Sequence, residues 1–91
     1  MPTYLMLTNL TGEGLRTLKN NPGRVTEVNA EVEQMGGKVV AQYATLGEYD
    51  FVTVIEAPDE KTMAKISVEL GSRGTMTSRT LAAMPVTDIA G

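Results

Sequence analysis

The hydrophobic pattern of the chain alternates between the period of a β-strand and the period of a helix, and this order limits the fold to few arrangements. Strand-like runs rich in β-forming residues occupy Thr3 to Leu10, Lys38 to Leu46, Tyr49 to Ala57 and Thr75 to Met84. The second run carries Val39, Ala41 and Tyr43 on one predicted face and Val40, Gln42, Ala44 and Leu46 on the other, and Gly47-Glu48 makes a tight connection to the third run. Helix-like stripes follow the first and the third of these runs. The predicted order of elements is therefore β-α-β-β-α-β.

Both predicted helices have start and stop signals. After the first strand the phase changes to that of a helix, with Leu15 and Leu18 three residues apart, and Asn21-Pro22 interrupts it. Asn21 suits an N-cap and Pro22 the first helical position, so the main helix is expected to begin there and to end at Gly36-Gly37. Asp59 suits the N-cap of the second helix, and Gly71 its end. The apolar stripes are Val25, Val28, Val32 and Met35 in the first helix, and Met63, Ile66 and Leu70 in the second.

Two right-handed β-α-β crossovers joined by a hairpin give an α+β fold, the ferredoxin-like arrangement. A four-stranded antiparallel sheet then carries both helices on one side, and residues 1–91 form a single domain. The first and third strands are apolar on both faces, whereas a water-facing sheet alternates between apolar and polar positions. We therefore expect a second copy of the chain to cover the other face, giving a homodimer or a larger homo-oligomer.

Composition excludes several classes of function. The net charge is −3 and Lys and Arg are scattered, which argues against nucleic acid as a partner. The chain has no Cys and no His, so it lacks thiolate chemistry and the commonest metal ligand and general base. We predict no metal and no cofactor. Because no basic leader and no long apolar segment is present, the chain is expected to be cytoplasmic and to have no membrane partner.

Four short segments, taken together, resemble the GYD domain family. They are M-P-T-Y-L-M-L-T-N-L-T at Met1 to Thr11, N-P-G-R at Asn21 to Arg24, T-L-G-E-Y-D at Thr45 to Asp50, and E-A-P-D at Glu56 to Asp59. Glu48 separates the Gly from the Tyr-Asp of the motif that names the family. The resemblance implies a subunit of a dimeric α+β barrel. It implies no particular activity, and the wider fold group includes both cofactor-free enzymes and ligand-sensing modules.

Asp50 is the main candidate for chemistry, and two interpretations of it are open. A short polar side chain beside a tight turn commonly accepts hydrogen bonds from backbone N–H groups, which is a structural role. Alternatively, Asp50 lies at a strand end next to Phe51, where partial desolvation would raise its pKa and make it a general base.

Four further residues are candidates for ligand binding: Asn9, Tyr43, Tyr49 and Arg79. Tyr43 lies within a predicted strand, where its ring packs in a core or interface or contacts a ligand. The Arg79 guanidinium suits a carboxylate across an interface or an anionic ligand. Asn9, near the end of the first strand, suits a bond to a loop or to a ligand.

The leading hypothesis for function is a small protein, non-enzymatic or of unassigned activity, that assembles through its sheet face and encloses a small apolar organic ligand between sheet and helices. The alternative is a cofactor-independent enzyme, monooxygenase- or isomerase-like, in which Asp50 acts as the base with Tyr43 or Asn9. A ligand-responsive regulator ranks lower, because the chain has no helix-turn-helix and would need a DNA-binding element in another chain.

Overall fold

The computed structural model describes residues 1–90 and has the predicted ferredoxin-like fold. Its strands are β1 (Thr3–Leu10), β2 (Lys38–Ala44), β3 (Phe51–Glu56) and β4 (Met76–Ala83). Its helices are α1 (Gly12–Asn20), α2 (Arg24–Gln34), α3 (Glu60–Gly71) and the short α4 (Thr87–Ala90). No helix within residues 1–90 combines the length and the apolar character that a membrane crossing needs.

The four strands form one antiparallel sheet, as predicted, and their order in it is β2-β3-β1-β4. β1 lies in the middle, with Leu5 opposite Val54 of β3 on one side and Leu81 of β4 on the other. This order follows from the two crossovers, because each crossover leaves room for one strand between the two strands that it joins: β3 lies between β1 and β2, and β1 lies between β3 and β4. β2 and β4 are the edge strands.

The segment before β2 contains two helices, whereas the predicted order of elements has one. α1 contains Leu15 and Leu18, where the sequence shows a helical phase, and the main helix does not begin at Asn21 as predicted. Thr11 caps α1, and its Oγ1 accepts a hydrogen bond from the Gly14 N–H at 3.1 Å. Asn21 lies at the C-terminal end of α1, and its carbonyl accepts from the Arg24 N–H at 3.0 Å. The predicted N-cap at Asn21 was therefore wrong. Pro22 separates two helices because it cannot donate the N–H that a continuous helix would need there.

The second predicted helix is present as α3. The Asp59 carboxylate accepts from the Thr62 N–H at 2.8 Å, which satisfies one of the free donors in the first turn. This bond holds the pKa of Asp59 below its ordinary value, because it favours the charged form. The predicted stripe of α3 is fully buried: Met63, Ile66 and Leu70.

The core lies between the helices and one face of the sheet. Its buried apolar residues are Tyr4, Met6, Val32, Ile55, Ala57, Met63, Ile66 and Leu70. Burial raises the pKa of the Tyr4 hydroxyl, because the charged phenolate would lose its hydration there. The Gly14 and Gly37 backbones pack against this layer so closely that a side chain would collide with the backbone of Thr75 or with core side chains.

A β-bulge in β2 changes which residues face the helices. Val39 pairs with Ile55 and Ala41 with Val54, so Val40 is an extra residue on β2. The sequence pattern predicted Val39, Ala41 and Tyr43 on one face and Val40 and Gln42 on the other. The structure corrects this, because the bulge reverses the alternation and turns both Val39 and Gln42 towards the helices.

The connection between β2 and β3 is longer than the predicted two-residue turn. It spans residues 45–50, and the Thr45 N–H donates to the Asp50 carbonyl at 2.8 Å. Gly47 adopts a φ of +117°, a backbone conformation that side-chain-bearing residues rarely adopt. Leu46 and Tyr49 therefore lie in this loop rather than in the strands to which the sequence pattern assigned them.

Candidate functional site

A cavity of about 170 Å³ lies between the sheet and the helices α1, α2 and α3. Its walls are mainly aliphatic, formed by Leu10, Leu18, Val25, Val28, Val39 and Leu70. Phe51 lies among the lining residues at the start of β3. A concave, mainly apolar space with few polar groups is the usual form of a small-molecule site.

A polar cluster on one wall of the cavity joins α2 to the sheet. The Asn29 Nδ2 donates to Gln42 Oε1 at 2.8 Å, and the Gln42 Nε2 donates to Thr53 Oγ1 at 3.1 Å. A longer bond of 3.4 Å runs from Gln42 Nε2 to Asn29 Oδ1. Gln42 and Thr53 are cross-strand partners, and the bulge in β2 brings Gln42 to this side of the sheet. We call Asn29, Gln42 and Thr53 the amide cluster.

Charged side chains from α2, from α3 and from the segment that follows α3 form an ion-pair network at the edge of the cavity. Arg24 pairs with Glu27 at 3.0 Å and with Glu31 at 3.3 Å. Arg73 pairs with Glu69 at 3.2 Å and also with Glu31. The hydrogen bond between Arg73 and Glu31 lowers the pKa of Glu31 and raises the pKa of Arg73, because it favours the charged form of each group. Burial opposes both shifts and is the weaker effect. The network ties α2 to α3 beside the cavity.

The other face of the sheet carries a second apolar surface, which we call the open sheet face. Its apolar residues are Leu5, Leu7, Tyr43, Val52, Val54 and Leu81. The side chains of Tyr43 and Leu81 are 61% and 48% exposed, while those of the inner strands are half-buried by their neighbours. No helix covers this face within residues 1–90, and its apolar character makes it a candidate interaction surface.

Asp50 joins the loop before β3 to the end of β1. Its Oδ2 accepts from the Leu10 N–H at 2.8 Å, and its own N–H donates to the Thr8 carbonyl at 2.9 Å. The Asp50 carboxylate therefore satisfies a backbone donor of the neighbouring strand rather than one within its own turn. Asp50 does not line the cavity.

The other predicted site residues lie away from the cavity too. Tyr43 belongs to the open sheet face, and Arg79 lies opposite Leu7 at the far edge of the same face. Asn9 lies on that face opposite Thr77, near the end of β1. The Tyr49 carbonyl accepts from Thr45 Oγ1 at 2.5 Å in the loop. The structure thus spreads these residues over one sheet face and one loop.

The sequence reasoning missed the amide cluster. One signal was present: Asn29 follows Val28 and lies four residues from Val25, so it borders the apolar stripe of α2. Gln42 had no such signal, because its position depends on the bulge. Among residues 1–90 there is no group of three or more acidic, His or Cys side chains that could hold a metal ion.

Comparison with known proteins gives a family match and a curated relative. The model of the GYD domain matches residues 4–91. A protein of Thermus thermophilus, the "Glutamine synthetase and cystathionine beta-lyase binding protein", is 51% identical over 90 residues, which is 98% of this chain and 95% of that protein.

Solved structures share the fold at low sequence identity. The crystal structure of TTHA0845 from Thermus thermophilus has a TM-score of 0.60 at 21% identity and covers 93% of this chain and 95% of its own. The crystal structure of FFRP-DM1 has a TM-score of 0.62 at 21% identity, and the match covers 92% of this chain and 100% of that chain. The crystal structure of hypothetical protein PHS023 from Pyrococcus horikoshii has a TM-score of 0.60 at 21% identity, and the match covers 93% of this chain and 92% of that chain. These likenesses concern the fold alone.

Proposed function

The chain belongs to the GYD domain family, and from this premise we propose that it is a non-catalytic binding protein that acts as a homodimer and attaches to other proteins. The observation that carries the proposal is the 51% identity, over 98% of this chain, to a relative named for binding two enzymes. We expect the glutamine synthetase and the cystathionine beta-lyase of its own organism to be its partners.

Binding of these two enzymes can be tested directly with purified proteins. Immobilised chain is exposed to each enzyme in turn, and binding is followed by surface plasmon resonance at physiological salt. We expect saturable binding of at least one enzyme, with an unrelated oligomeric enzyme of similar size as the control. If neither enzyme binds above that control, the proposed partners are wrong.

The open sheet face supports the proposal that the chain assembles with a second copy. Leu5 is flanked by Val54 and Leu81, so an apolar row crosses three strands without a charged side chain. Two such faces packed together would remove this surface from water, and each Å² of apolar area buried contributes about 25 cal/mol. Twofold pairing is also the commonest way for identical chains to assemble.

The C-terminal segment supports the same assembly. After β4 the chain places Met84, Val86 and Ile89 in exposed positions, with 61%, 77% and 77% of their surfaces accessible. A stable interface buries about 800 Å² on each partner, and these exposed apolar side chains would add to the area that the sheet face supplies. We propose that this segment packs against the second copy and enlarges the interface.

Native mass spectrometry tests the assembly, and a pair of variants locates it. Leu5→Glu places a charge on the open sheet face, whereas Leu15→Glu makes the same change on α1, where Leu15 is 51% exposed. We expect dimers for the wild type and for Leu15→Glu, and monomers for Leu5→Glu. A monomeric wild type, or a Leu5→Glu variant that stays dimeric, would show that the open sheet face does not hold the assembly together.

The cavity supports a further part of the proposal, the binding of a small apolar ligand between sheet and helices. Its aliphatic walls offer burial to an apolar molecule, and the amide cluster offers hydrogen bonds to fix its orientation. The same native spectra test this: a discrete extra mass that is lost on mild activation supports a bound ligand, and its identity follows from extraction and mass analysis.

The alternative function, a cofactor-independent enzyme with Asp50 as the general base, has less support. The Asp50 carboxylate is committed to the Leu10 N–H, and none of Asp50, Asn9 and Tyr43 lines the cavity. A base must reach the proton that it removes within hydrogen-bond distance or through one water molecule. The arrangement of Asp50 therefore favours its structural interpretation.

A further inference from the structure

We propose that the cavity between sheet and helices selects an uncharged molecule, one small ring in size, that carries a single hydroxyl or carbonyl group, and that it rejects carboxylates. This inference rests on the proposed ligand binding and adds the chemical class of the ligand. It follows from the size of the cavity, the free hydrogen-bonding groups of the amide cluster, and the charge balance of the ion-pair network.

The volume of the cavity sets the size of the ligand. The space is about 170 Å³. An engineered apolar cavity of about 150 Å³ in another protein binds benzene, so this cavity has room for one six-membered ring with one or two small substituents. Larger bodies would have to displace Val28, Val39 or Leu70 from the packed walls.

The amide cluster sets the polar group of the ligand. Both N–H groups of Gln42 are used, one by Thr53 and one by Asn29. Asn29 donates only one of its two N–H groups, to Gln42, which leaves the other available. The Thr53 hydroxyl accepts from Gln42 and keeps its own hydrogen free to donate. A ligand hydroxyl or carbonyl oxygen can accept these bonds without a change in the cluster.

The ion-pair network explains why an anion would be rejected. Both guanidinium groups that line the cavity are already paired: Arg24 with Glu27 and Glu31, and Arg73 with Glu31 and Glu69. Three carboxylates thus pair with two guanidinium groups, so the net charge of the network at the edge of the cavity is negative. A ligand carboxylate would lose its hydration in an apolar space and gain no free cation in return.

A matched series of small molecules separates these effects. The three compounds share one methyl-substituted ring. Toluene has no polar group, 4-methylphenol adds a hydroxyl, and 4-methylbenzoate adds a carboxylate. Protein freed of co-purified molecules by unfolding and refolding is titrated with each compound at pH 7, and binding is followed by ¹H–¹⁵N NMR. We expect 4-methylphenol to bind about tenfold more tightly than toluene, since one net hydrogen bond contributes about that factor, and 4-methylbenzoate to bind most weakly.

Variants assign the selectivity to the amide cluster. Asn29→Leu keeps the size of the side chain and removes the amide that has the free N–H, and Thr53→Val replaces the hydroxyl with a methyl group, which provides a second variant if the first does not fold. Each should lower the affinity for 4-methylphenol towards that for toluene while leaving toluene binding unchanged. The control is Tyr43→Phe, which removes a hydroxyl next to Gln42 in sequence but on the open sheet face.

The outcomes distinguish failure of this inference from failure of the proposed ligand binding. If 4-methylbenzoate binds as tightly as 4-methylphenol, the charge argument is wrong, although the cavity still binds ligands. If both variants keep the preference for 4-methylphenol over toluene, the amide cluster does not select the ligand. If none of the three compounds shifts the resonances of residues lining the cavity, the proposed ligand binding itself is wrong.

Discussion

Replacing Asp50 by Ala tests the structural interpretation of the T-L-G-E-Y-D segment. The change removes the acceptor at 2.8 Å from the Leu10 N–H and leaves that donor without its partner. A hydrogen bond to a charged group contributes about 1.5–3 kcal/mol, and Asp50 is only partly buried, so water replaces part of the loss. We therefore expect a loss of about 1.5 kcal/mol, or roughly 6–12 °C in Tm for a domain of this size.

Asp50→Asn provides the intermediate step, because the amide keeps an oxygen that can accept from Leu10. A neutral acceptor is roughly half as strong as a charged one, so we expect a loss of about 0.7 kcal/mol. Glu48→Ala is the control, since Glu48 is exposed in the same loop and we expect a change within about 0.5 kcal/mol.

Thermal unfolding is followed by circular dichroism at one protein concentration, because the Tm of an oligomer depends on concentration. The expected order of stability is wild type, Asp50→Asn, Asp50→Ala. An Asp50→Ala variant that melts within about 2 °C of the wild type would refute the reasoning, since the hydrogen bond to Leu10 would then contribute almost nothing.

Three further changes test the packing and the ion pairs. The pKa of Glu31 is lowered in the folded state, so its charge stabilises the fold above the ordinary pKa of about 4.3. This contribution is lost as the pH falls through the folded pKa. The Tm difference between wild type and Glu31→Gln should therefore be full at pH 7 and should shrink in acid. A constant difference down to pH 3 would contradict this. Gly14→Ala places a Cβ 2.0 Å from the Thr75 carbonyl oxygen and should cost about 2 kcal/mol or more, whereas Gly71→Ala meets no atom within 4 Å and should be neutral or stabilising in urea unfolding. Ile66→Ala should cost about 2–5 kcal/mol by the same assay, because the side chain is fully buried, and a cost below 1 kcal/mol would show that the core collapses around the gap.

The order of elements could be predicted because each signal in the sequence is local. The alternation of strand and helix periods fixes the crossovers, and the stripe of α3 with Asp59 before it predicts that helix almost residue by residue. Capping signals also explain the error before β2. Asn21 and Pro22 indicate a helix boundary, but the same pair can end one helix or begin the next, and the Thr11 cap of α1 decides between these.

The candidate site could not be predicted, because it depends on a β-bulge for which the sequence contains no signal. In the segment V-V-A-Q-Y-A, either set of alternate residues could face the core. Only the pairing with β3 shows that Val40 is the extra residue. A phase error of one residue exchanges the two faces of the strand. It placed Gln42 outside the interior and Tyr43 on the same face as Val39, so the pattern alone does not bring Gln42 together with Asn29 and Thr53.

The bulge also links the two functions proposed for the sheet. In an unbulged β2, the alternation that turns Val39 inwards would turn Tyr43 inwards and Gln42 outwards. Tyr43 would then occupy space in the cavity, while Gln42 would place an amide within the open sheet face, where it would interrupt the apolar row formed by Val52 and Leu7. One inserted residue therefore gives the interior its hydrogen-bonding cluster and gives the outer face its aromatic side chain. For this reason we expect ligand binding inside the sheet and assembly outside it to depend on the same register of β2 against β3.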